Sequence, residues 1–586
     1  MGFDYAIVHL KYNIPPAVLL TLLYRPLFTK LDAFKLAFLV TVAIVATIPW
    51  DSYLIRARIW SYPGHVIIGP TLCDIPLEEV FFFFIQTYNT TFLYLILSKP
   101  TFQPAFLRAG TPSSGAPWKY QKTAGQLFLV GATIWAWLRV RENSVGTYAG
   151  LIVVWAAPII LLQWTLAYQF ILGLPLSNTL LPIALPTLYL WMVDTLALRR
   201  GTWVISTGTK YGVHLWDGLE VEEALFFLVT NTLIVFGQVA FDNALAVLYT
   251  FPSLFPSPPV LPSPAHLMQA LWISPFDYDA KRLEGLQDAV LRLKRKSRSF
   301  YLASSTFPGP LRTDLLLLYS FCRVADDLVD NAATIEEAKG WISKLHEFLD
   351  HVYPASKDDS SASAEGLYES FPLETRSALL QLPAARLPRQ PLQDLLYGFE
   401  MDLAFNNSSP IKTESDLRLY SERVAGTVAQ MCIELILHLY PSNMTPGQQR
   451  EVVDAGDRVG IALQYVNIAR DIAVDTYIGR VYLPLDWLRE AGISYDQALS
   501  APNDPLMEGL RTRLLDKAFS LYEGARGAIE SLPVEARGPI RVAVESYMEI
   551  GRTLRRKGYT VKAGRATVPK WRRIIVAWKT LNKRSV

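Results

Sequence analysis

The feature that most constrains this chain is an uneven distribution of charge. Only 28 of the first 250 residues are Asp, Glu, Lys or Arg, against roughly a quarter of the remainder, which is the usual share in water-soluble domains. The charge-poor stretch contains apolar runs near 3–24, 33–50, 78–98, 124–140, 148–172, 178–197 and 221–241. About 20 mostly apolar residues cross the hydrocarbon core of a bilayer as a helix, so these runs predict a multi-pass transmembrane helical domain. Pro15, Pro16, Pro182 and Pro186 lie inside such runs, which membrane helices tolerate where neighbours satisfy the freed carbonyls. A soluble domain of this composition would have too little polar surface to cover itself. The opening MGFDYAIVHLKYN lacks the basic start, short apolar run and cleavage site of a secretory signal. Ala6 stands where myristoylation wants Ser or Thr, so insertion is expected to rest on the internal spans. Lys and Arg divide evenly among the short loops, and charge therefore does not choose an orientation.

The apolar stretch contains a repeat. Asp51 is followed nine residues later by Trp60 and then by PLEEVFFFF, with Glu78 and Glu79; Asp194 is followed nine residues later by Trp203 and then by EVEEALFF, with Glu222 and Glu223. The offset is 143 to 144 residues throughout. Two three-helix repeats joined by the 124–140 span would share one orientation in the membrane.

The segment FPSLFPSPPVLPSP (251–264) is too rich in proline for a helix and reads as an extended spacer. The expected division is 1–250 for the membrane domain, 251–269 for a Pro-rich linker and 270–586 for a domain of successive amphipathic helices on one aqueous face. YPASKDDSSASAEG (353–366) reads as a surface loop. The net charge of +3 gives no case for nucleic acid, and three scattered cysteines (Cys73, Cys322, Cys432) exclude a disulfide scaffold or a Cys-rich zinc site.

Two acidic stripes carry the chemistry of the second domain. In FCRVADDLVDN, Asp326 and Asp330 are four apart and share a helical face with Arg323, while Asp327 points about a quarter turn away. In QYVNIARDIAVDT, Asn467, Asp471 and Asp475 recur every four residues. Like charges at this spacing repel, so two such stripes make sense facing each other across a cavity and sharing divalent cations. Mg²⁺ takes one or two carboxylates plus substrate phosphates, which suits a diphosphate leaving group.

These stripes resemble the aspartate-rich motifs of the squalene/phytoene synthases. SRSFYLAS (297–304), YSERVAGTVA (420–429) and GRVYLPLDWL (479–488) match further segments in order, and LYGFEMDL (396–403) matches more loosely. The resemblance covers about 290–565. It implies an all-helical isoprenoid synthase fold and head-to-head condensation of two geranylgeranyl diphosphates to phytoene. It further implies that Asp326, Asp330, Asn467, Asp471 and Asp475 hold Mg²⁺, or Mn²⁺ in its place. Ser299, Arg323, Tyr420, Arg470 and Arg480 would contact diphosphate or line the site. Arg565 is added from a tail with several arginines and no anchoring motif.

In the membrane half, Glu78, Glu79, Glu222 and Glu223 sit at the starts of apolar spans. An ionisable group inside a membrane costs about 2.5–3.5 kcal/mol on insertion scales, so it has a function or a partner. Arg56, Arg58, Arg199 and Arg200 could pair with them. Alternatively, the glutamates act as acid and base: ring closure on a polyene begins by protonating a double bond and ends by losing a ring proton. Trp60, Trp203 and Phe81–Phe84 could offer π faces to the cation. The repeated motifs resemble the small membrane lycopene cyclases, and the order of the two halves resembles the fusions of these families in fungi. The resemblance implies β-ring formation on lycopene, giving β-carotene, beside a lipid bilayer, with a phytoene desaturase as a partner enzyme. No G-x-G-x-x-G fingerprint is present, and neither flavin nor nicotinamide is expected. The alternative is a squalene-synthase-like prenyl transferase behind a membrane anchor or a transporter-like domain.

Overall fold

The computed structural model describes residues 2–110, 115–142, 145–256, 258–354, 364–405, 411–556 and 568–582. Among them the only strands form three two-stranded ribbons; everything else regular is helical. The chain divides into two compact units, Met1–Leu283 and Glu284–Val586. The division lies beyond the Pro-rich segment. Proline prevents a helix there, but the intervening Phe251 and Phe255 are buried with Leu248, Leu267 and Leu283 in one cluster, so the segment packs against the first unit.

The first unit contains α1 (Asp4–Leu27), α2 (Lys30–Arg56), α3 (Leu77–Ser98), α4 (Gly115–Glu142), α5 (Thr147–Gly173), α6 (Leu180–Arg199) and α7 (Val221–Thr250). A capping box starts α2: the Thr29 side chain accepts from the Asp32 N–H, and the Asp32 carboxylate accepts from the Thr29 N–H. Among the described residues, six helices are long and apolar enough to cross a membrane. The expected span 124–140 lies in α4, which is helical but outside that set, because Gln126, Thr133 and Arg139 dilute its apolar run.

The topology nevertheless takes α4 across the bundle. Strand β1 (Trp60–Ser61) pairs antiparallel with β4 (Val204–Ile205), placing Ser61 opposite Val204, its equivalent in the repeat. The equivalent helices α3 and α7 run parallel, with the Thr90 hydroxyl donating to Asn231 Oδ1 at 2.8 Å and the Tyr94 hydroxyl to Asp242 Oδ2 at 2.7 Å, so both repeats point the same way. The chain must then return from the end of α3 before α5 begins, and α4 makes that return. It runs antiparallel to α5: the Trp164 indole N–H donates to the Lys122 carbonyl at 3.1 Å, and a Cβ on Gly150 would lie 2.9 Å from the Ala136 carbonyl.

Each repeat carries a hairpin before its glutamates, β2 (Thr71–Leu72) with β3 (Ile75–Pro76) and β5 (His214–Trp216) with β6 (Leu219–Glu220). The two-residue turns need positive φ, met by Cys73 (53°) and Asp74 (70°) in the first copy and by Gly218 (87°) in the second. A register irregularity between His214 and Trp216 adds one residue to the second copy. That extra residue is why the repeat offset grows from 143 to 144.

The second unit is an all-helical bundle. Helix α8 (Pro264–Trp272) still belongs to the first unit, and α9 (Ala280–Lys296) leads into the second. The acidic stripes lie on α10 (Gly309–Asp330) and α13 (Pro446–Tyr477). Between them come α11 (Arg389–Ala404) and α12, which consists of Glu414–Ser421, a π-helical turn Glu422–Gly426 and Thr427–Leu439. After them come α14 (Pro505–Ile529), α15 (Val534–Leu554) and α16 (Lys570–Asn582). Glycine lets α12 and α13 cross closely: a Cβ on Gly460 would lie 2.5 Å from the Ala425 carbonyl oxygen.

Candidate active sites

The second unit encloses a cavity of about 1050 Å³. Its polar end is lined by Arg323, Asp326 and Asp330 of α10, Asp402 of α11, Tyr420 of α12, and Asn467, Arg470, Asp471 and Asp475 of α13, with Arg480 and Tyr482 just beyond. Its apolar walls include Phe307, Leu315, Val428, Ile433 and Val544. The two stripes thus face one space, as the spacing of each predicts. Asp327 turns away and is held by Arg323 at 2.5 Å and Lys296 at 3.2 Å.

Within this end, cations and carboxylates interlock. Arg323 Nη1 donates to Asp326 Oδ2 at 2.8 Å. Arg480 Nη1 lies 2.5 Å from Asp402 Oδ2 and 3.6 Å from Asp330 Oδ1, bridging the first stripe to α11. Asp402 Oδ1 also accepts from the hydroxyls of Tyr482 (2.8 Å) and Tyr420 (3.0 Å). Tyr420 is therefore a buried brace for Asp402, stacked on Tyr482. Arg470 clamps Asp471 through two donors and reaches Asn467 Oδ1, which also accepts from the Tyr547 hydroxyl at 3.0 Å. The side chain of Ser299 and the whole of Arg565 lie outside the described residues, as does most of the 353–366 segment. Ser297 and Phe300, either side of Ser299, line the cavity.

Crowding of carboxylates raises their proton affinity. Burial, then Asp330, pushes Asp326 up to about 7; burial, then Asp471, pushes Asp475 up to about 7. Asp326 lines the cavity, with 35% of its side chain exposed. Among the described residues no three His, Cys, Asp or Glu side chains form a ready-made metal cage. An under-neutralised ring of separated carboxylates fits hard divalent cations that arrive with a diphosphate, since Mg²⁺-type ions take few protein ligands. Asp402, Tyr482 and Tyr547 escaped the motif reading. Asp402 stood in LYGFEMDL, but a lone aspartate on a helix carries no spacing signal.

The first unit brings both repeats to one small cavity of about 30 Å³, lined by Tyr5, Asn13, Trp60, Tyr62, Glu79, Phe82, Asp194, Trp203, Glu223, Phe226 and Phe227. Glu79 Oε2 accepts from the hydroxyls of Tyr62 (2.8 Å) and Tyr5, and Glu223 Oε1 accepts from the Tyr148 hydroxyl at 2.6 Å. Tyr5 and Tyr148 are themselves equivalent, 143 residues apart. The other glutamate of each pair points into its own loop: Glu78 Oε1 accepts from the Ile68 N–H and Glu222 Oε1 from the Tyr211 N–H, each at 2.7 Å. The pairs thus split by position, one member at the cavity and one bracing the hairpin.

The arginines do not pair with the glutamates. Arg56 binds Asp74 at 2.7 Å and Arg199 binds Asp217 at 2.8 Å, because both arginines end their helices beside the hairpin turns. Of the phenylalanines, Phe82 lines the cavity, while Phe84 is exposed. Asp51 and Asp194 are fully buried, and all four of their carboxylate oxygens lack a hydrogen-bond partner. The Trp203 indole N–H is directed at Asp194 but falls short of bonding geometry. The repeat marked these two aspartates without giving them a role.

A family model for squalene/phytoene synthases matches residues 293–572, and with the two facing acidic helices this makes the second unit an isoprenoid synthase of the prenyl-transferring, generally divalent-metal-dependent class. A dehydrosqualene synthase solved in complex with a ligand is 23% identical, covering 51% of this chain and 97% of that one, with a TM-score of 0.42. The bifunctional lycopene cyclase/phytoene synthase of Phaeosphaeria nodorum is 80% identical, with all of both chains covered. That of Leptosphaeria maculans is 70% identical over 99% of this chain and all of its own. The chain belongs to the bifunctional lycopene cyclase/phytoene synthase family.

Proposed function

We propose that this chain catalyses two steps of carotenoid synthesis: condensation of two geranylgeranyl diphosphates to phytoene in the second unit, and closure of lycopene ends to β-rings, giving β-carotene, in the first. The observation that carries the reading is 80% identity over the full length to a bifunctional lycopene cyclase/phytoene synthase, joined to two separate sites, each with the residue types its reaction needs.

In the synthase, Asp326, Asp330, Asn467, Asp471 and Asp475 would hold Mg²⁺ or Mn²⁺. When bound, the cations neutralise the charge of the departing diphosphate. Arg323, Arg470 and Arg480 offer donors at the same end, and Asp402 with its two tyrosines holds Arg480 in place. One diphosphate leaves to give an allylic cation; the second substrate's double bond adds to it, and loss of a proton closes the cyclopropane. Loss of the second diphosphate, rearrangement and loss of a second proton then give phytoene. The apolar walls exclude water that would quench the cations.

In the cyclase, Glu79 and Glu223 would serve as the proton donor and acceptor. Protonation of a terminal double bond gives a tertiary cation, the neighbouring double bond attacks to close the ring, and a ring carbon then gives up its proton. The reaction is an isomerisation and consumes no reductant. Trp60, Trp203, Phe82 and Phe226 would present π faces to the cation. The site would work within a lipid bilayer, from which lycopene released by an associated phytoene desaturase can be drawn. The full-length chain, produced in bacteria that accumulate lycopene, tests this: β-ring pigments lost in Glu79→Gln and Glu223→Gln support it, and unchanged lycopene with an intact, inserted chain refutes it.

A further inference from the structure

We propose that α16 is an interfacial helix that seats the second unit on an anionic lipid surface. Its sequence, KWRRIIVAWKTLN, has four basic residues and no acidic one. At about 100° per residue, Trp571, Ile574, Ile575 and Trp578 fall within an arc of about 100°. These four side chains are 64%, 56%, 43% and 44% exposed. Lys570 and Lys579, both exposed, lie about 90° to either side of the centre of that arc.

The opposite face holds the helix to the unit. Thr580 is buried, Arg572 Nε donates to Glu549 Oε1 at 2.7 Å, and Arg573 lines the synthase cavity. Single exposed apolar residues are ordinary, but two tryptophans and two isoleucines in one stripe leave a continuous apolar surface in water. Tryptophan suits the boundary between headgroups and acyl chains. Flanking lysines lay their stems along the apolar stripe and keep their ammonium groups at the phosphates. A basic amphipathic helix of this kind lies in the plane of an anionic surface.

Charge chooses the occupant: lysines on both flanks match a sheet of phosphates and carboxylates on every side of the helix. A bilayer is also always within reach, since the same chain carries six helices apolar enough to span one. Pro569 and Lys570, at the start of α16, line the synthase cavity, so seating the helix brings that cavity's edge to lipid. A water-insoluble C40 product could then leave directly into the bilayer; this consequence, unlike the seating, rests on the proposed synthase activity.

Photo-crosslinking of the full chain in lipid nanodiscs tests the proposal. Benzoylphenylalanine replaces Trp571 or Trp578, and Leu373 or Val534 as controls, which are 77% and 76% exposed on the same unit. Lipid adducts several-fold more abundant at 571 and 578 than at the controls, and rising when phosphatidylserine is added to phosphatidylcholine, are expected. Equal yields at all four positions, or adducts to protein in place of lipid, would overturn the proposal. In the unmodified chain, amide exchange across 570–582 should slow in the phosphatidylserine discs while 534–554 stays constant; identical exchange in both lipids would equally refute it.

Discussion

Trp60 of the first repeat packs against Tyr148 of the second, with ring centroids 5.9 Å apart, and Tyr148 is the hydroxyl donor to Glu223. The reciprocal contact exists: Trp203 of the second repeat lies 5.3 Å from Tyr5, a donor to Glu79. Each repeat thus supplies its own tyrosine–glutamate pair and covers it with the other repeat's tryptophan. Neither half site is complete alone, which gives a physical reason for the two copies to stay packed together.

The division within each glutamate pair predicts opposite outcomes for the same substitution. Gln keeps an amide oxygen that can accept the Ile68 or Tyr211 N–H, so Glu78→Gln and Glu222→Gln should retain most β-ring formation. Glu79→Gln and Glu223→Gln remove an acid or base from the cavity and should lower it by about 100-fold or more. Pigment chromatography from lycopene-accumulating cells checks all four.

Tyr148→Phe removes a buried hydroxyl from Glu223. A buried acceptor left without its donor costs about 1–3 kcal/mol. The first unit should unfold at lower temperature and cyclise more slowly, while phytoene formation from geranylgeranyl diphosphate is unchanged. Calorimetry with paired activity assays reads both.

Gly460→Ala places a methyl group against the backbone of α12, where no side chain can yield. Overpacking of this kind costs about 1–3 kcal/mol. The expected result is a lowered unfolding transition for the second unit, with the first unit's transition unmoved.

The pH dependence follows from Asp326 and Asp475, both held near 7 against an ordinary 3.8. The folded, metal-free unit holds these two protons more tightly than the unfolded chain, so Asp326 and Asp475 contribute most to its stability below about pH 4, and that contribution is lost as pH rises toward 7. Divalent cations held at the proposed ligands would replace those protons. The thermal shift produced by Mg²⁺ should therefore be larger at pH 8 than at pH 5.5, and binding should release protons. Asp326→Asn should stabilise the metal-free unit at pH 8 while abolishing phytoene synthesis, and differential scanning calorimetry with a product assay measures the two effects.

The sequence by itself determined what depends on neighbours along the chain. Apolar runs, six of the seven on helices long and apolar enough to cross a membrane, the four-residue spacing that puts Asp326 with Asp330 and Asn467 with Asp471 and Asp475, and the 143-residue repeat are patterns written along the chain and present in the structure. Which glutamate faces the cavity was decided by the hairpins, since Glu78 and Glu79 are adjacent and differ only in what the folded loop brings to them. Arg56 and Arg199 had the right charge to pair with those glutamates, but helix ends and turns gave them Asp74 and Asp217 instead. Tertiary structure alone recruited Asp402 and Tyr547, far in sequence from the stripes they join, and carried α4 across the bundle despite its diluted hydropathy. Periodicity reports the face a residue occupies on its own helix; what stands opposite that face is set by packing between distant segments.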